Sequence, residues 1–350
     1  MTRQISIAGR HIGADHEPYV ICELSANHNG SLDRALELLD AAAATGADAI
    51  KIQTYTPDTM TIDHDGPGFR IEGGLWDGRN LYDLYSEAQT PFEWHEALFD
   101  RARQLGVTLF STPFDESAID LLERVGAPAY KIASFEAIDL PLITRVAATK
   151  KPMIISTGMA NLDEIGEAVR TAREHGCDDL VLLHCVSSYP APDEQSNLRT
   201  LPDLAERFGV VAGLSDHTFG TAVAVASIAL GGCVVEKHFT LRRADGGPDS
   251  AFSLEPNEFK ALVDDCKRAW RALGQPTYDL QGCEQGSTVF RRSIYVVRDI
   301  AAGDELTRDN IRSIRPGYGL PPKHFPEVLG RRAARDLKRG EPLAWDSLGQ

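Results

Sequence analysis

The strongest constraint on the fold of this chain is an alternation of short apolar runs with amphipathic stretches, which occurs eight times between Tyr19 and Leu273. The apolar runs are Tyr19–Leu24, Ala49–Gln53, Val107–Phe110, Ala129–Ile132, Met153–Ser156, Leu180–His184, Val210–Leu214 and Cys233–Glu236. Nearly continuous apolar strands, each followed by a helix, are typical of a parallel sheet covered by helices. Eight such units in succession predict an α/β fold in which the sheet closes into a (β/α)8 TIM barrel.

The stretches that follow the runs have the spacing of amphipathic helices. They are predicted at Ser31–Thr45, Pro91–Leu105, Glu116–Val125, Leu140–Ala148, Leu162–His175, Leu201–Phe208, Thr221–Leu230 and Glu255–Leu273. In the first of them, Ser31 is placed to cap the helix and Gly46 to end it. The connection after the second strand, residues 54–90, is unusually long. Connections of that size commonly form lids or binding loops. The aromatic residues Trp76, Trp94, Tyr82 and Tyr85 can line this one, although core packing is favoured for Trp94 and its helix.

The chain has 350 residues, and chains tend to split into domains beyond roughly 250–300 residues. We predict a barrel domain at residues 1–275, a linker at 276–288 and a small β-rich domain at 289–350, with strands at Ser293–Val297 and Ile311–Ile314. Residues 285–350 carry 12 Lys and Arg against 8 Asp and Glu, a net charge of +4. Because the whole chain carries −15, the other 284 residues carry −19. This difference in charge marks the tail as a separate surface.

Composition excludes several classes of protein. With 43% hydrophobic and 25% charged residues, the chain is neither disordered nor collagen-like nor a coiled coil. It contains no apolar run near the ~20 residues that cross a bilayer, and its net charge argues against a nucleic-acid partner. The first ten residues, MTRQISIAGR, lack the apolar segment of an export signal, and the six Cys are scattered singly. We therefore expect a cytoplasmic enzyme that contacts neither membrane nor nucleic acid.

Polar side chains stand at the carboxyl ends of nearly all the predicted strands, which is where barrel enzymes carry out their chemistry. They are Glu23, Lys51, Gln53, Ser111, Lys131, Ser134, Ser156, Thr157, His184, Ser187, Tyr189, Ser215, His217, Glu236, Lys237 and His238. A structural barrel has no reason to place such groups at every strand end, so the ring predicts an active site.

Lys51 and Lys131 follow the second and fourth strands. Each can form a buried salt bridge, act as a Schiff-base nucleophile or clamp an anion. Because Ser134, Ser156 and Ser215 lie on the same rim, a clamp on phosphate or carboxylate is favoured.

His217 and His238 end the last two strands, which are neighbours in a closed barrel. Two imidazoles there can share one divalent metal and leave coordination positions open for substrate and water, or each can hydrogen-bond a carboxylate. Glu23 is a candidate general base or a partner for a sugar hydroxyl, and the alternative is a partner for a lysine.

Several sequence motifs in a fixed order resemble bacterial sialic acid synthases, the family that condenses phosphoenolpyruvate with a hexosamine. The motifs are Glu23–Gly30 (ELSANHNG), Lys51–Thr54 (KIQT), Lys131–Ser134 (KIAS), Ser156–Met159 (STGM), Gly213–Thr218 (GLSDHT), Glu236–Thr240 (EKHFT), Gly247–Ser250 (GPDS) and Arg315–Leu320 (RPGYGL). The tail is similar to the family's antifreeze-like (SAF, β-clip) domain. Leu24–Ala26 and Ser187 depart from the usual sialic acid synthase pattern. Together with Tyr55–Met60 (YTPDTM) and Gly74–Tyr85 (GLWDGRNLYDLY), they resemble the pseudaminic acid synthase branch.

The resemblance implies roles for individual residues. It implies phosphoenolpyruvate binding by Lys51, Lys131, Ser134, Ser156 and Ser215, with Ser187 in a position where the family usually has Asn. It implies a divalent ion, Mn²⁺ with Mg²⁺ or Co²⁺ as alternatives, on His217 and His238. It places Glu23, Gln53, Tyr189 and Asp249 at the sugar or its reacting end. It also implies a homodimer in which Arg315 reaches the sugar of the partner subunit's barrel.

The reaction implied is condensation of phosphoenolpyruvate with 2,4-diacetamido-2,4,6-trideoxy-L-altrose and water, giving pseudaminic acid and phosphate. N-acetylneuraminate and legionaminate synthases are the alternatives within the family. Two alternatives from other classes are a Schiff-base aldolase that uses Lys51 or Lys131 and a sugar-binding module without turnover.

Overall fold

A computed structural model describes residues 3–349 of the chain, and within them eight parallel strands form a closed barrel. The barrel strands are β3 (Tyr19–Glu23), β4 (Ala49–Thr54), β5 (Thr108–Pro113), β6 (Tyr130–Ile132), β7 (Met153–Ser156), β8 (Leu180–Cys185), β9 (Val211–Asp216) and β10 (Val234–His238). They pair in chain order, and β10 closes the ring on β3 with Val234 opposite Tyr19. The predicted (β/α)8 barrel is confirmed.

Helices follow the barrel strands and cover them on the outside. The helices of this unit are α1 (Leu32–Ala44), α2 (Pro57–Met60), α3 (Leu81–Ala88), α4 (His95–Leu105), α5 (Glu116–Val125), α6 (Leu140–Ala147), α7 (Leu162–Glu174), α8 (Thr200–Phe208), α9 (Ala222–Ala229) and α10 (Pro256–Leu273). The side chain of Ser31 caps α1 by accepting from the backbone N–H of Arg34, as predicted.

Alternation along each strand separates two hydrophobic cores. In β3, Val20 and Cys22 belong to the large core between strands and helices, whereas Tyr19 and Ile21 belong to a smaller core inside the barrel. Side chains of a strand point to opposite faces in turn, so every second residue is directed into the barrel. The last inward position of a strand therefore lies at the carboxyl-end mouth.

An N-terminal hairpin formed by β1 (Gln4–Ile7) and β2 (Arg10–Gly13) was not predicted. Its side chains Ile5, Ile7 and Ile12 are buried in the inner core, together with the first residues of the barrel strands. The hairpin thus closes the end of the barrel opposite the mouth. Its strands, QISI and RHIG, contain no continuous apolar run and precede the first repeat of strand and helix, so the pattern that marks the barrel strands does not mark them.

The long connection after β4 has its own structure. It contains α2, then a turn-back in which the backbone N–H of Ile71 donates to Arg79 O and that of Leu81 to Phe69 O, and then α3. The side chain of Asn80 caps α3 by accepting from the N–H of Tyr82. The segment is therefore ordered by its own hydrogen bonds.

Residues 275–350 form a second compact unit. It begins with a 3-10 helix at Gly282–Phe290 and contains the antiparallel strands β11 (Ser293–Val296) and β12 (Ile311–Ile314) and a short helix, α11 (Phe325–Val328). Its own core includes Ile294, Ile311 and Leu343. In residues 3–349, no helix has both the length and the apolar character needed to cross a membrane.

Candidate active site

A cavity of about 400 Å³ opens at the carboxyl ends of the barrel strands. The predicted site residues that line it are Glu23, Lys51, Gln53, Lys131, Ser134, Ser156, Tyr189, Ser215, His217, His238 and Asp249. Ser187 adjoins them, since its hydroxyl donates to Ser134 Oγ at 2.8 Å. Arg315 lies in the second unit, where it is exposed. The volume of the cavity is in the range of sites for small molecules.

The alternation of the strands explains which polar residues reach this cavity. Phe110 is in the inner core, so Ser111 faces the helices, where its hydroxyl donates to Ile52 O. Thr112, one residue further, lines the cavity instead. The interpretation of Ser111 as a rim residue was therefore wrong.

His184 and Lys237 were also wrongly interpreted as rim residues, for the same reason. Nε2 of His184 lies 2.7 Å from Ser196 O. Lys237 Nζ lies 2.6 Å from Asp216 Oδ2, and both side chains are buried on the outer side of the strands. His184 follows Leu183, which is in the inner core, and Lys237 lies between Glu236 and His238, which line the cavity. Alternation therefore directs both side chains outward.

Two lysines and two glutamates form a buried ionic cluster on the floor of the cavity. Lys51 Nζ lies 2.6 Å from Glu23 Oε2 and 3.9 Å from Glu236 Oε1, and Lys131 Nζ lies 3.4 Å from the same Glu236 oxygen. All four side chains are at most 6% exposed. Both lysines thus form the salt bridges that were one of their three alternatives, and the two positive and two negative charges of the cluster balance.

The cluster sets the protonation of its members. Burial works against the charge of Lys51, but the carboxylates of Glu23 and Glu236 outweigh it and raise the pKa of its ammonium group. Burial lowers the pKa of Lys131 in spite of Glu236. Burial also raises the pKa of the Glu23 carboxyl, and Lys51 only partly opposes this. Lys51 is therefore the firmly charged cation of the site.

The two predicted metal ligands lie side by side, with ring centroids 5.5 Å apart. Nδ1 of His217 lies 2.9 Å from Val186 O, and Nδ1 of His238 lies 3.2 Å from Ser25 Oγ. Burial lowers the pKa of both imidazoles, so both are neutral. An imidazole whose Nδ1 is held by the protein presents Nε2 for coordination, which is how histidine ligands are commonly oriented.

These residues fit a divalent ion with few protein ligands. In residues 3–349, no group of three or more His, Cys, Asp or Glu side chains has an arrangement that could hold a metal. An ion at His217 and His238 would therefore take its remaining ligands from substrate and water, as a Lewis-acid site requires.

Hydroxyl groups line the side of the cavity near Lys131. Ser215 Oγ donates to Glu236 Oε1 at 3.0 Å, and the buried Ser156 hydroxyl has no hydrogen-bond partner among the described residues. Gly158 has φ +48°, and a Cβ there would lie 2.4 Å from Ser134 Cβ and 2.7 Å from Ser187 Oγ. The glycine of the STGM motif thus allows the loop after β7 to approach these two serines closely.

The opposite side of the cavity is aromatic and apolar. The Tyr189 ring packs on His217 with centroids 4.3 Å apart, and Trp76 from the long connection packs on Tyr189 at 5.6 Å. Trp76 Nε1 donates to Pro248 O at 2.9 Å, next to Asp249. Of the aromatic residues expected at this connection, Trp76 and Tyr85 lie on the cavity wall. Tyr82 is not among the lining residues, and its hydroxyl donates to Asp58 Oδ1 at 3.1 Å. Trp94 packs against the large core.

Four further polar residues line the cavity without having been given a role from the sequence: Thr112, Glu136, Cys185 and Glu236. Glu236 lies two residues before His238 on β10, so alternation alone places both on the inner face. The same spacing relates Thr112 to Phe110 and Cys185 to Leu183. Glu136 follows β6 in a loop, where no periodicity could have identified it.

Comparison with known proteins agrees with this site. A model of the NeuB family matches residues 38–278, and a model of the SAF domain matches residues 291–349. Over 333 residues the chain is 45% identical to a pseudaminic acid synthase of Campylobacter jejuni, which covers 95% of this chain and 97% of the relative. It is 35% identical over 341 residues to an N,N'-diacetyllegionaminic acid synthase of Legionella pneumophila, with 96% of each chain covered.

One solved structure is also similar to this chain. The N-acetylneuraminic acid synthetase of Leptospira borgpetersenii superposes with a TM-score of 0.73 at 29% identity, covering 82% of this chain and 95% of that one. The resemblance to sialic acid synthases is thereby confirmed. With a family match over most of the barrel and relatives that align along nearly their whole length, the chain belongs to the NeuB family and carries a C-terminal SAF domain.

Proposed function

We propose that this enzyme condenses phosphoenolpyruvate with 2,4-diacetamido-2,4,6-trideoxy-L-altrose and water to give pseudaminic acid and phosphate. The observation that carries the proposal is the cavity itself, in which a lysine and serine side, a histidine pair and an apolar side meet. The 45% identity to a pseudaminic acid synthase, against 35% to a legionaminic acid synthase, supports this sugar over the alternatives.

Phosphoenolpyruvate would bind on the lysine and serine side. Lys51 and Lys131 supply positive charge, and the free hydroxyl of Ser156 supplies a donor. Ser134, Ser187 and Ser215 complete the proposed set of hydroxyl groups. Because both lysines are paired with glutamates, binding would exchange carboxylate partners for the carboxylate and phosphate of the substrate.

His217 and His238 would hold a divalent ion, which we propose to be Mn²⁺. When bound, that ion supplies Lewis-acid polarisation of the sugar aldehyde. The protein holds both imidazoles neutral and fixes their orientation through Val186 O and Ser25 Oγ.

Glu23 is the proposed proton carrier of the reaction. C3 of phosphoenolpyruvate forms a bond to the aldehyde carbon, water adds to the cationic C2, and the tetrahedral product loses phosphate by cleavage of its C2–O bond. One proton leaves the attacking water and one reaches the new sugar hydroxyl, so the carrier must lie between the two substrates. The contacts of Glu23 to Lys51, on the proposed phosphoenolpyruvate side, and to Gln53, on the proposed sugar side, support it in this role.

The sugar would lie between Gln53, Tyr189 and Asp249. We propose that Arg315 of a second copy completes this side in a homodimer.

We further propose domain limits of 1–275 and 289–350 with a linker at 276–288, and a cytoplasmic location.

The direct test is phosphate release from phosphoenolpyruvate with three sugars assayed side by side. These are the trideoxy-diacetamido altrose, the legionaminic acid precursor and N-acetylmannosamine, each with and without chelator. We expect the first sugar to give the highest kcat/KM, and the chelator to abolish turnover until Mn²⁺ is restored. Full turnover in metal-free protein would contradict the metal role, and a preference for another sugar would replace the proposed product.

Borohydride trapping separates this reaction from a Schiff-base aldolase. The condensation forms no covalent bond between the enzyme and a substrate, so we expect no adduct on Lys51 or Lys131. A trapped adduct on either lysine would favour the aldolase.

A further inference from the structure

The cavity is divided into two chemically different sides. The strand ends supply its ionic floor, whereas the connection after β4 supplies a continuous apolar side. We call this side the apolar wall, and it consists of Met60, Ile71, Trp76, Leu81, Leu84 and Tyr85. All six residues come from residues 55–90, which contribute no charged side chain to the cavity.

The apolar wall is held in place. The hydrogen bonds Ile71 N–H to Arg79 O at 2.9 Å and Gly78 N–H to Ile71 O at 2.8 Å close the turn-back that carries Trp76. The bond from Trp76 Nε1 to Pro248 O joins this turn-back to the segment after β10. A wall fixed at both ends can discriminate between ligands by shape and polarity.

A row of aromatic rings leads from the histidine pair to the apolar wall. The ring centroids of His217 and Tyr189 lie 4.3 Å apart, and those of Tyr189 and Trp76 lie 5.6 Å apart. If the aldehyde carbon is directed to the histidines, the far end of the sugar is directed to the apolar wall. A hydroxymethyl group there would be removed from water without a partner, whereas a methyl group would gain contact.

We propose that the apolar wall selects sugars that carry a methyl group at C6 over the same sugars with a 6-hydroxyl group. Leu81 and Ile71 are the selecting residues, since both are half-buried and line the cavity. The proposal rests on the proposed function and adds the part of the protein that distinguishes a 6-deoxy substrate. A pocket of this kind separates two ligands that differ by one such group by about 10- to 100-fold in kcat/KM.

The test compares two sugars that differ only at C6, the 2,4-diacetamido-2,4,6-trideoxy sugar and its 6-hydroxy analogue, at saturating phosphoenolpyruvate. Wild type is expected to prefer the deoxy sugar by at least about tenfold in kcat/KM. Leu81→Asn keeps the number and branching of the side-chain heavy atoms and makes two of them polar, so we expect it to lower this preference at least about fivefold. Leu75→Asn is the matched control, because Leu75 belongs to the same turn-back, is 44% exposed and does not line the cavity.

Ile71→Thr provides a second wall variant in case Leu81→Asn does not fold. If both variants keep the wild-type preference while Leu75→Asn does too, the wall does not select the methyl group and the proposal is overturned. Equal turnover of both sugars by wild type also overturns it, while leaving the proposed reaction intact. Turnover of neither sugar by wild type would instead contradict the proposed function.

Discussion

At the scale of single residues, the direction of a side chain decides whether it belongs to the site. Lys237 and His238 are neighbours in sequence, yet His238 lines the cavity and Lys237 is buried on the outer side of β10. Glu236 faces inward with His238 and pairs with the two cavity lysines. Residue type at a strand end is thus informative only together with its position in the alternation.

Glu136 gives a prediction for pH dependence. Burial raises the pKa of its carboxyl group to about 7, although Lys131 opposes the shift, and one of its oxygens is buried without a hydrogen-bond partner among the described residues. In the proposed binding mode, the ionised group would compete with phosphoenolpyruvate for Lys131 above pH 7. We therefore expect Glu136→Gln to bind phosphoenolpyruvate about 3- to 10-fold more tightly than wild type at pH 8, and equally at pH 6.

Calorimetric titration with phosphoenolpyruvate at both pH values measures this difference. Protonation of phosphoenolpyruvate itself affects binding to wild type and to Glu136→Gln equally. The ratio of the dissociation constants of wild type and variant at each pH therefore isolates the effect of Glu136. A ratio that does not change between pH 6 and pH 8 would show that Glu136 does not titrate near the phosphoenolpyruvate site.

At the scale of elements, the ends of β9 and β10 are joined by a buried ion pair behind the two histidines. Asp216 Oδ2 accepts from Lys237 Nζ, while Oδ1 accepts from the backbone N–H and the hydroxyl of Thr218. Lys237 also donates to Thr218 O at 2.6 Å. These bonds fix the backbone on both sides of His217 and next to His238.

Removal of one partner from this pair leaves a buried charge. We expect Lys237→Met to lower the free energy of unfolding by about 3–5 kcal/mol, measured by urea denaturation, because Asp216 is then ionised without its cation. The double variant Asp216→Asn with Lys237→Met is expected to recover part of this loss. Lys260→Met is the control, since Lys260 and Asp264 form an exposed pair, and it is expected to have little effect. Equal stability of the two lysine variants would argue against this account.

Most element limits could be predicted from the sequence, because the barrel repeats a strong local pattern. Met153–Ser156 and Glu116–Val125 have the predicted limits, and the other barrel elements differ by a few residues at their ends. The pairing of Lys51 with Glu23 and Glu236 could not be predicted, since it depends on which side chains meet across the barrel. The hairpin at Gln4–Gly13 was missed because it precedes the first repeat of strand and helix and contains no continuous apolar run. The cavity position of Glu136 was missed because this residue lies in a loop, which has no period.

At the scale of the whole molecule, two compact units carry opposite net charge. The tail is basic and the remainder of the chain is acidic, as the count of charged residues shows. Arg315 is exposed at the end of β12 in the second unit. In the proposed dimer, Arg315 contacts the sugar bound in the barrel of the partner subunit. Most other arginines of the unit would serve only as surface charge.

The prediction at this scale compares two arginines of the same unit. Arg315→Ala is expected to raise the KM for the sugar at least about tenfold, because a charged hydrogen bond to the substrate is lost. Arg331→Ala is expected to change it less than about twofold, since its guanidinium donates to Gly349 O within the unit. If both variants raise the KM for the sugar equally, Arg315 has no specific role and the basic tail acts only through its overall charge.

The most direct measurement of the central claim uses phosphoenolpyruvate with ¹⁸O in the bridge between C2 and phosphorus, incubated with the trideoxy-diacetamido sugar and Mn²⁺. Mass spectrometry of both products then reports the condensation and the bond that breaks. Condensation with cleavage of the C2–O bond gives a nine-carbon acid without the label and phosphate that carries it. Unlabelled phosphate, or phosphate released without the acid, would contradict it.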